Sequence, residues 1–160
     1  MIILERLYTD IRRYLIAALD LQQNAPIVQG YQNANPIPID AIIMTFRDDG
    51  RLDQTSHTYK DGKIIVFDSI RGVMQLDFYG ESSYDKARQI ATLWKSPYTT
   101  TTLQDCVPLN CFRIRDLSFV NEAGFYELRY MIELELQYNT KYEKTVNIAK
   151  DVSQIDFGVY

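Results

Sequence analysis

His57 is the single histidine of the chain. Its imidazole is the first place to look for general acid–base chemistry, because its ordinary pKa lies nearest neutrality. It sits in the run Thr55-Ser56-His57-Thr58-Tyr59, which reads as strand. Neighbours on a strand project to opposite faces, so Ser56 and His57 do not form a local nucleophile–base dyad. Carboxylate pairs come next. Asp48 and Asp49 precede Gly50 and read as turn residues, favoured there for their local hydrogen bonds. Glu133 and Glu135 share one strand face, where like charges repel, and read as a solvated surface. Cys106 and Cys111 are too few for a disulfide framework or a zinc site. They read as two reduced thiols, with a bridge over the short loop as the other reading. There is no phosphate-binding glycine loop, nucleophile elbow or helical histidine pair. The residue pattern implies no enzyme, no cofactor and no metal.

The elements that would have to position any chemistry can be bounded first by composition. The chain has 160 residues, 46% of them hydrophobic, which fits one α+β domain over residues 1–160 with a sizeable core. Twelve tyrosines stand against one tryptophan. Tyrosine suits strands, and its polar tip also suits interface rims. The net charge is −4, and Arg12-Arg13 with Arg113 and Arg115 make no basic stripe. Sequence-specific nucleic-acid binding is therefore not expected. Charges at Glu5 and Arg6 interrupt the first apolar run, and no stretch has the length and apolarity to span a membrane. A soluble chain made in a cytoplasm is expected.

Apolar residues Leu4, Leu7, Tyr8, Ile11, Tyr14, Leu15 and Ala18 recur at three- and four-residue steps, predicting a helix over 3–22, with Pro26 marking its exit. Residues 29–38 are rich in turn formers. A strand is expected at 40–46, a turn at Asp48-Asp49-Gly50, a return over 51–60 and a hairpin turn at Asp61-Gly62. Residues 63–67 pair back, and 73–79 form a strand with Met74, Leu76 and Phe78 on one face. Gly72 reads as a turn or bulge, leaving open whether 63–79 is one strand or two. Ser82 and Asp85 suggest a capped second helix to about residue 95, burying Ala87, Ile90, Ala91 and Trp94. Residues 96–110 read as irregular loop and 110–120 as strand, followed by a turn at 121–124.

Residues 126–138 then alternate along their whole length. Leu128, Tyr130, Ile132, Leu134, Leu136 and Tyr138 point one way, and Glu127, Arg129, Met131, Glu133, Glu135 and Gln137 the other. That is a long strand with one buried and one wet face. The tail has a last alternating piece, Ile155, Phe157 and Val159, and about 141–160 is expected as an extended arm. The fold class is α+β: a mostly antiparallel sheet packed with an N-terminal helix and a second helix between two groups of strands.

Three segments carry a resemblance. The first is Gln29-Gly30-Tyr31-Gln32-Asn33 through Pro36 and Pro38 into Ala41-Ile42-Ile43-Met44-Thr45-Phe46. The second is Leu76-Asp77-Phe78-Tyr79-Gly80 with Ser83, Asp85, Ala87 and Ile90 on the following helix. The third is the hairpin over 113–136, with Tyr126-Glu127-Leu128-Arg129 at its far side. In this order, after a leading helix, they resemble the neck or tail terminator (tail-completion) proteins of tailed bacteriophages. The resemblance implies a structural virion protein without catalytic residues. It implies a homo-oligomeric ring, typically a hexamer, on the head-proximal end of the tail tube, ending tube polymerisation and joining neck or head-completion proteins. In some members it also implies contact with a contractile sheath. The expected location is the virion tail, after assembly in the bacterial host cytoplasm.

Within that role the Glu127, Arg129, Glu133 and Glu135 face is the candidate lumen lining, where acidity would keep passing DNA from sticking. Ile155, Phe157 and Val159 are candidates for adding a strand to a neighbour's sheet. The threonine run 99–102 is a further interface candidate. Two alternatives stand beside this. One is another phage neck, head-closure or baseplate component of related fold. The other is a small cytosolic hydrolase or ligand-binding domain with a pocket around His57 or the carboxylates.

Overall fold

In a computed structural model, which describes residues 3–30 and 37–146, the leading helix α1 spans Ile3–Ala18. It ends before the predicted boundary because Asp20 takes a left-handed φ of 52°. Leu21 N–H then returns to the Ile16 carbonyl at 2.9 Å, closing the last turn without any help from Pro26. Leu7, Ile11, Tyr14 and Leu15 form its buried stripe, as their spacing requires.

The strands follow as β1 (Ile27–Gln29), β2 (Ile42–Arg51), β3 (Ser56–Lys60) and β4 (Lys63–Tyr79). Two helices come next, α2 (Ser83–Leu93) and α3 (Pro97–Thr102). The remaining strands are β5 (Val107–Cys111), β6 (Arg115–Asp116), β7 (Phe119–Val120), β8 (Tyr126–Glu127) and β9 (Arg129–Thr145). The order in the main sheet is β1-β2-β4-β9-β5, with β3 beside β4 and β6 beside β9. All pairings are antiparallel except β1 with β2. This is the expected α+β architecture.

The spine is the β4–β9 ladder, 17 residues on each strand, in unbroken register from Lys63↔Thr145 to Tyr79↔Arg129. At the usual rise the ladder is about 55 Å long. Helices cover only part of one face. Met74, Leu76, Phe78, Ile132, Leu134 and Leu136 pack there against α1 and against Ala87, Ile90 and Trp94 of α2. Burial of each such large side chain contributes roughly 1.5–3 kcal/mol. Trp94 Nε1–H donates to the Glu135 carbonyl at 3.1 Å, near where β5 slips register between Pro108 and Cys111.

Several predicted boundaries move. The turn expected at 48–50 is strand: β2 continues through it, with Asp49 opposite Gly72 and Gly50 opposite Arg71. A bulge between Phe46 and Asp48 absorbs the extra residue. The Phe46 N–H donates instead to the Tyr8 hydroxyl of α1 at 2.9 Å. Residues 63–79 are one strand. Gly72 is there because a Cβ would come within 2.7 Å of the Phe46 ring. The hairpin turn at Asp61-Gly62 forms as expected, both residues with positive φ. Ser82 is the N-cap of α2 but makes no side-chain cap bond. Residues 97–102, expected as loop, are helical, and the strand expected at 110–120 is divided among β5, β6 and β7. The long strand breaks at Leu128: its start is β8, in a separate two-stranded sheet with β7, and its far end runs on to Thr145.

Candidate assembly surfaces

The groups that could do chemistry are dispersed. His57 is exposed on β3, edge-on to Tyr59 with ring centres 5.7 Å apart. Ser56 pairs with Phe67 and His57 with Val66, so they project to opposite faces as the strand period requires. The Asp49 carboxylate meets the Tyr138 hydroxyl at 3.4 Å. Burial pushes the Tyr138 phenol up to about 12, and the neighbouring Asp49 charge adds to the shift. Cys106 is buried, and burial followed by the Asp10 carboxylate pushes its thiol far above the range of thiolate chemistry. Among the described residues no cluster of three His, Cys, Asp or Glu could hold a metal ion. None of the described helices is long and apolar enough to cross a membrane.

The basic pair of α1 is occupied inside the fold. Arg12 donates to the carbonyls of Ile27 at 2.7 Å and Gln23 at 2.9 Å, tying down the segment that leads into β1. Arg13 bonds the Asp10 carboxylate and the Thr102 carbonyl. Asp10 is buried and accepts the N–H groups of Gln104 at 2.9 Å and Asp105 at 2.8 Å, which holds the exit of α3 against α1. Sequence reasoning passed over Asp10. Its signal was its position in the apolar stripe, between Leu7 and Ile11, where an acid needs internal partners. Thr99 of the threonine run is also internal. It is buried and bonded to Tyr14 at 2.9 Å and to the Leu93 carbonyl at 2.7 Å, while Thr100 and Thr101 stay exposed.

The sheet face opposite the helices carries Arg129, Glu133 and Glu135 on β9, with Arg71 and Asp77 on β4. These charges are paired across strands. Arg129 meets buried Asp77 at 2.8 Å, Arg71 meets Glu135 at 2.7 Å, and Arg115 of β6 meets Glu133 at 3.6 Å. Gln75 also donates to Asp77 at 2.6 Å. Glu127 is set apart on β8, accepting from Asn121 Nδ2 at 2.7 Å. Met131 lies buried between the charged positions. Ile155, Phe157 and Val159 lie outside the described residues.

Apolar side chains are left open at both ends of the long ladder. At one end β3, the start of β4 and the end of β9 form a three-stranded arm bearing Tyr59, Phe67 and Tyr142, the last 60% exposed. At the other end the β7–β8 hairpin presents Val120, Phe125 and Tyr126, and residues 37–40 present Ile39 at 90% exposure. A cleft of about 460 Å³ lies between that segment and the hairpin. The sequence carried a signal here, because Phe125-Tyr126 follow Gly124 and Ile37 and Ile39 flank Pro38, but no periodicity assigns such residues to a face. Exposed apolar side chains thus lie at both ends of the ladder, and the cleft lies at one of them. No curated protein matches the chain. A family model described as phage neck terminator protein matches residues 5–159.

Proposed function

The chain belongs to the phage neck terminator family, and on that premise we propose that it is a ring subunit capping the head-proximal end of the tail tube. In this reading it ends tube polymerisation and offers the surface on which neck and head-completion proteins join. Its partners are copies of itself, in a ring of six, the tail tube protein and the neck proteins, with the sheath protein added where the tail is contractile. Assembly takes place in the bacterial host cytoplasm. The family is structural, which agrees with the dispersal of the titratable groups. The observation that carries the reading is the elongated β4–β9 ladder with large apolar side chains exposed at both ends. An isolated soluble monomer gains nothing from such surfaces, whereas a subunit with neighbours buries them.

The helix-free sheet face is the proposed lumen lining. Its paired charges favour free passage of DNA in a second way beyond acidity. Arginines already engaged by Asp77, Glu133 and Glu135 are poor phosphate ligands. Ile155, Phe157 and Val159 are proposed to add a strand to a neighbour's sheet. Supporting this, Val146 N–H bonds the Gly62 carbonyl at 3.1 Å, which puts the last described residue at the tip of the arm. Normal rings from a chain truncated after Ala149 would remove that role.

Negative-stain microscopy of tails made with and without the protein tests the central reading. Overlong or headless tails in its absence, corrected by adding it back, are the expected result. Tails of normal length joined to heads would overturn it.

A further inference from the structure

The arm tip has a defined chemistry. Directly paired residues project from the same side of a sheet, so Tyr59, Ile64 and Lys144 form one rung and His57, Val66 and Tyr142 the next. The tip and its flanks carry four lysines, Lys60, Lys63, Lys141 and Lys144, against two carboxylates, Asp61 and Glu143. Glu143 is already engaged by Lys141 at 2.7 Å and approached by Lys63 at 3.9 Å. Lys144 stands on the same side as Tyr59 and Tyr142, whereas Lys60, paired with Lys63, projects from the other, so Lys144 gives the aromatic side its cationic margin.

The cleft at the opposite end has the complementary chemistry. Ile37, Ile39 and Tyr126 supply apolar wall, and Asp40, Glu81 and Glu127 supply carboxylates. No lysine or arginine is among the described residues that line it. Arg129, whose guanidinium lies 5.6 Å from the Tyr79 ring centre, is engaged by Asp77.

The two surfaces sit at opposite ends of one continuous ladder about 55 Å long, so they do not meet within one chain. A contact between different patches of identical molecules is heterologous, the kind that closes into rings. We propose that the aromatic, lysine-edged arm tip of one copy seats in the acidic apolar cleft of the next copy. Tyr59 and Tyr142 lie against Ile39 and Tyr126, and Lys144, on the same side of the arm, faces Glu81 and Glu127. The apolar contact supplies the burial, and the opposite charges set the register and disfavour tip-to-tip or cleft-to-cleft pairing. This inference rests on the ring reading above and names the surfaces that build the ring.

The test uses tails assembled in the host. The double variant Ile39→Cys/Tyr142→Cys, oxidised on purified tails, is expected to give a ladder of covalent multimers that neither single variant gives. Normal-length tails carrying the double variant without a ladder overturn the arm-to-cleft contact and leave the terminator role standing. If deletion of the protein leaves tails normal, the terminator role falls, and the same cross-link on the concentrated purified chain decides the contact by itself. A charge-reversal pair gives a second readout. Lys144→Glu and Glu81→Lys/Glu127→Lys are each expected to lower tail completion by at least ~10-fold. Producing both variants in one cell should restore it, because alternating copies then present opposite charges at every contact. Unchanged urea midpoints exclude misfolding. Completion no better in the mixture than in either variant overturns the proposal.

Discussion

The Asp77 carboxylate is buried on the helix-free face, with Arg129 as its cationic partner and Gln75 as its neutral one. Arg129→Ala would leave that charge desolvated. Breaking a buried pair costs roughly 3–5 kcal/mol, and the partial exposure of Arg129 places the expected loss toward the lower figure. A urea titration checks it, and adding Asp77→Asn should recover part of the loss. Gly72 is constrained differently. Its missing Cβ is the space into which the Phe46 ring packs, edge-on to Tyr138 with ring centres 6.3 Å apart. Gly72→Ala should therefore destabilise the chain by about 1–3 kcal/mol despite the better strand propensity of alanine. Restoration of the urea midpoint by Phe46→Leu would tie the effect to that contact.

At the scale of elements, the legible parts were those specified locally. The Asp61-Gly62 turn needs two positive φ angles, and the residue types declare it. The buried stripe of α1 and the Ala87, Ile90 and Trp94 face of α2 follow from helical spacing. The missed elements depend on distant partners. Asp48-Asp49-Gly50 has the composition of a turn, yet β4 offers a free edge there and the bulge keeps the ladder in register. β1 has three residues and exists because β2 lies beside it and Arg12 holds its approach. α3 is a single short helix pinned by Thr99 to Tyr14. The charged face of β9 gives the prediction at this scale. Glu133→Gln/Glu135→Gln frees Arg115 and Arg71 from their partners. Tails should still assemble, and DNA release should become slower and more salt-dependent as the freed guanidiniums meet phosphate. Release kinetics equal to wild type at low and high salt would remove this face from the lumen.

For the molecule as a whole, the buried phenols predict an alkaline limit. Tyr138 titrates near 12, because burial and then Asp49 disfavour its anion. Tyr14 is also raised, mainly by burial, with the Thr99 hydrogen bond partly opposing. A folded-state pKa above the unfolded value near 10 contributes stability that is full below pH 10 and is lost as pH rises through about 12. Stability should therefore stay level through neutrality on account of these groups and fall between pH 10 and 12. Urea midpoints across that range check it, and Tyr138→Phe should flatten the slope.

The amino-acid sequence by itself determined the α+β class, the two main helices, the alternating face of β9 and the family likeness that the match over residues 5–159 bears out. These rest on periodicity and turn chemistry, which neighbouring residues specify together. The tertiary structure alone decided that β4 and β9 run as one ladder past the helices, that the acidic face is held by arginines, and that apolar side chains stay open at both ends. Each of those depends on strand register between residues far apart in the chain. Register sets which side chains face each other across a sheet, and the local pattern of one strand carries no information about the charge or length of its partner.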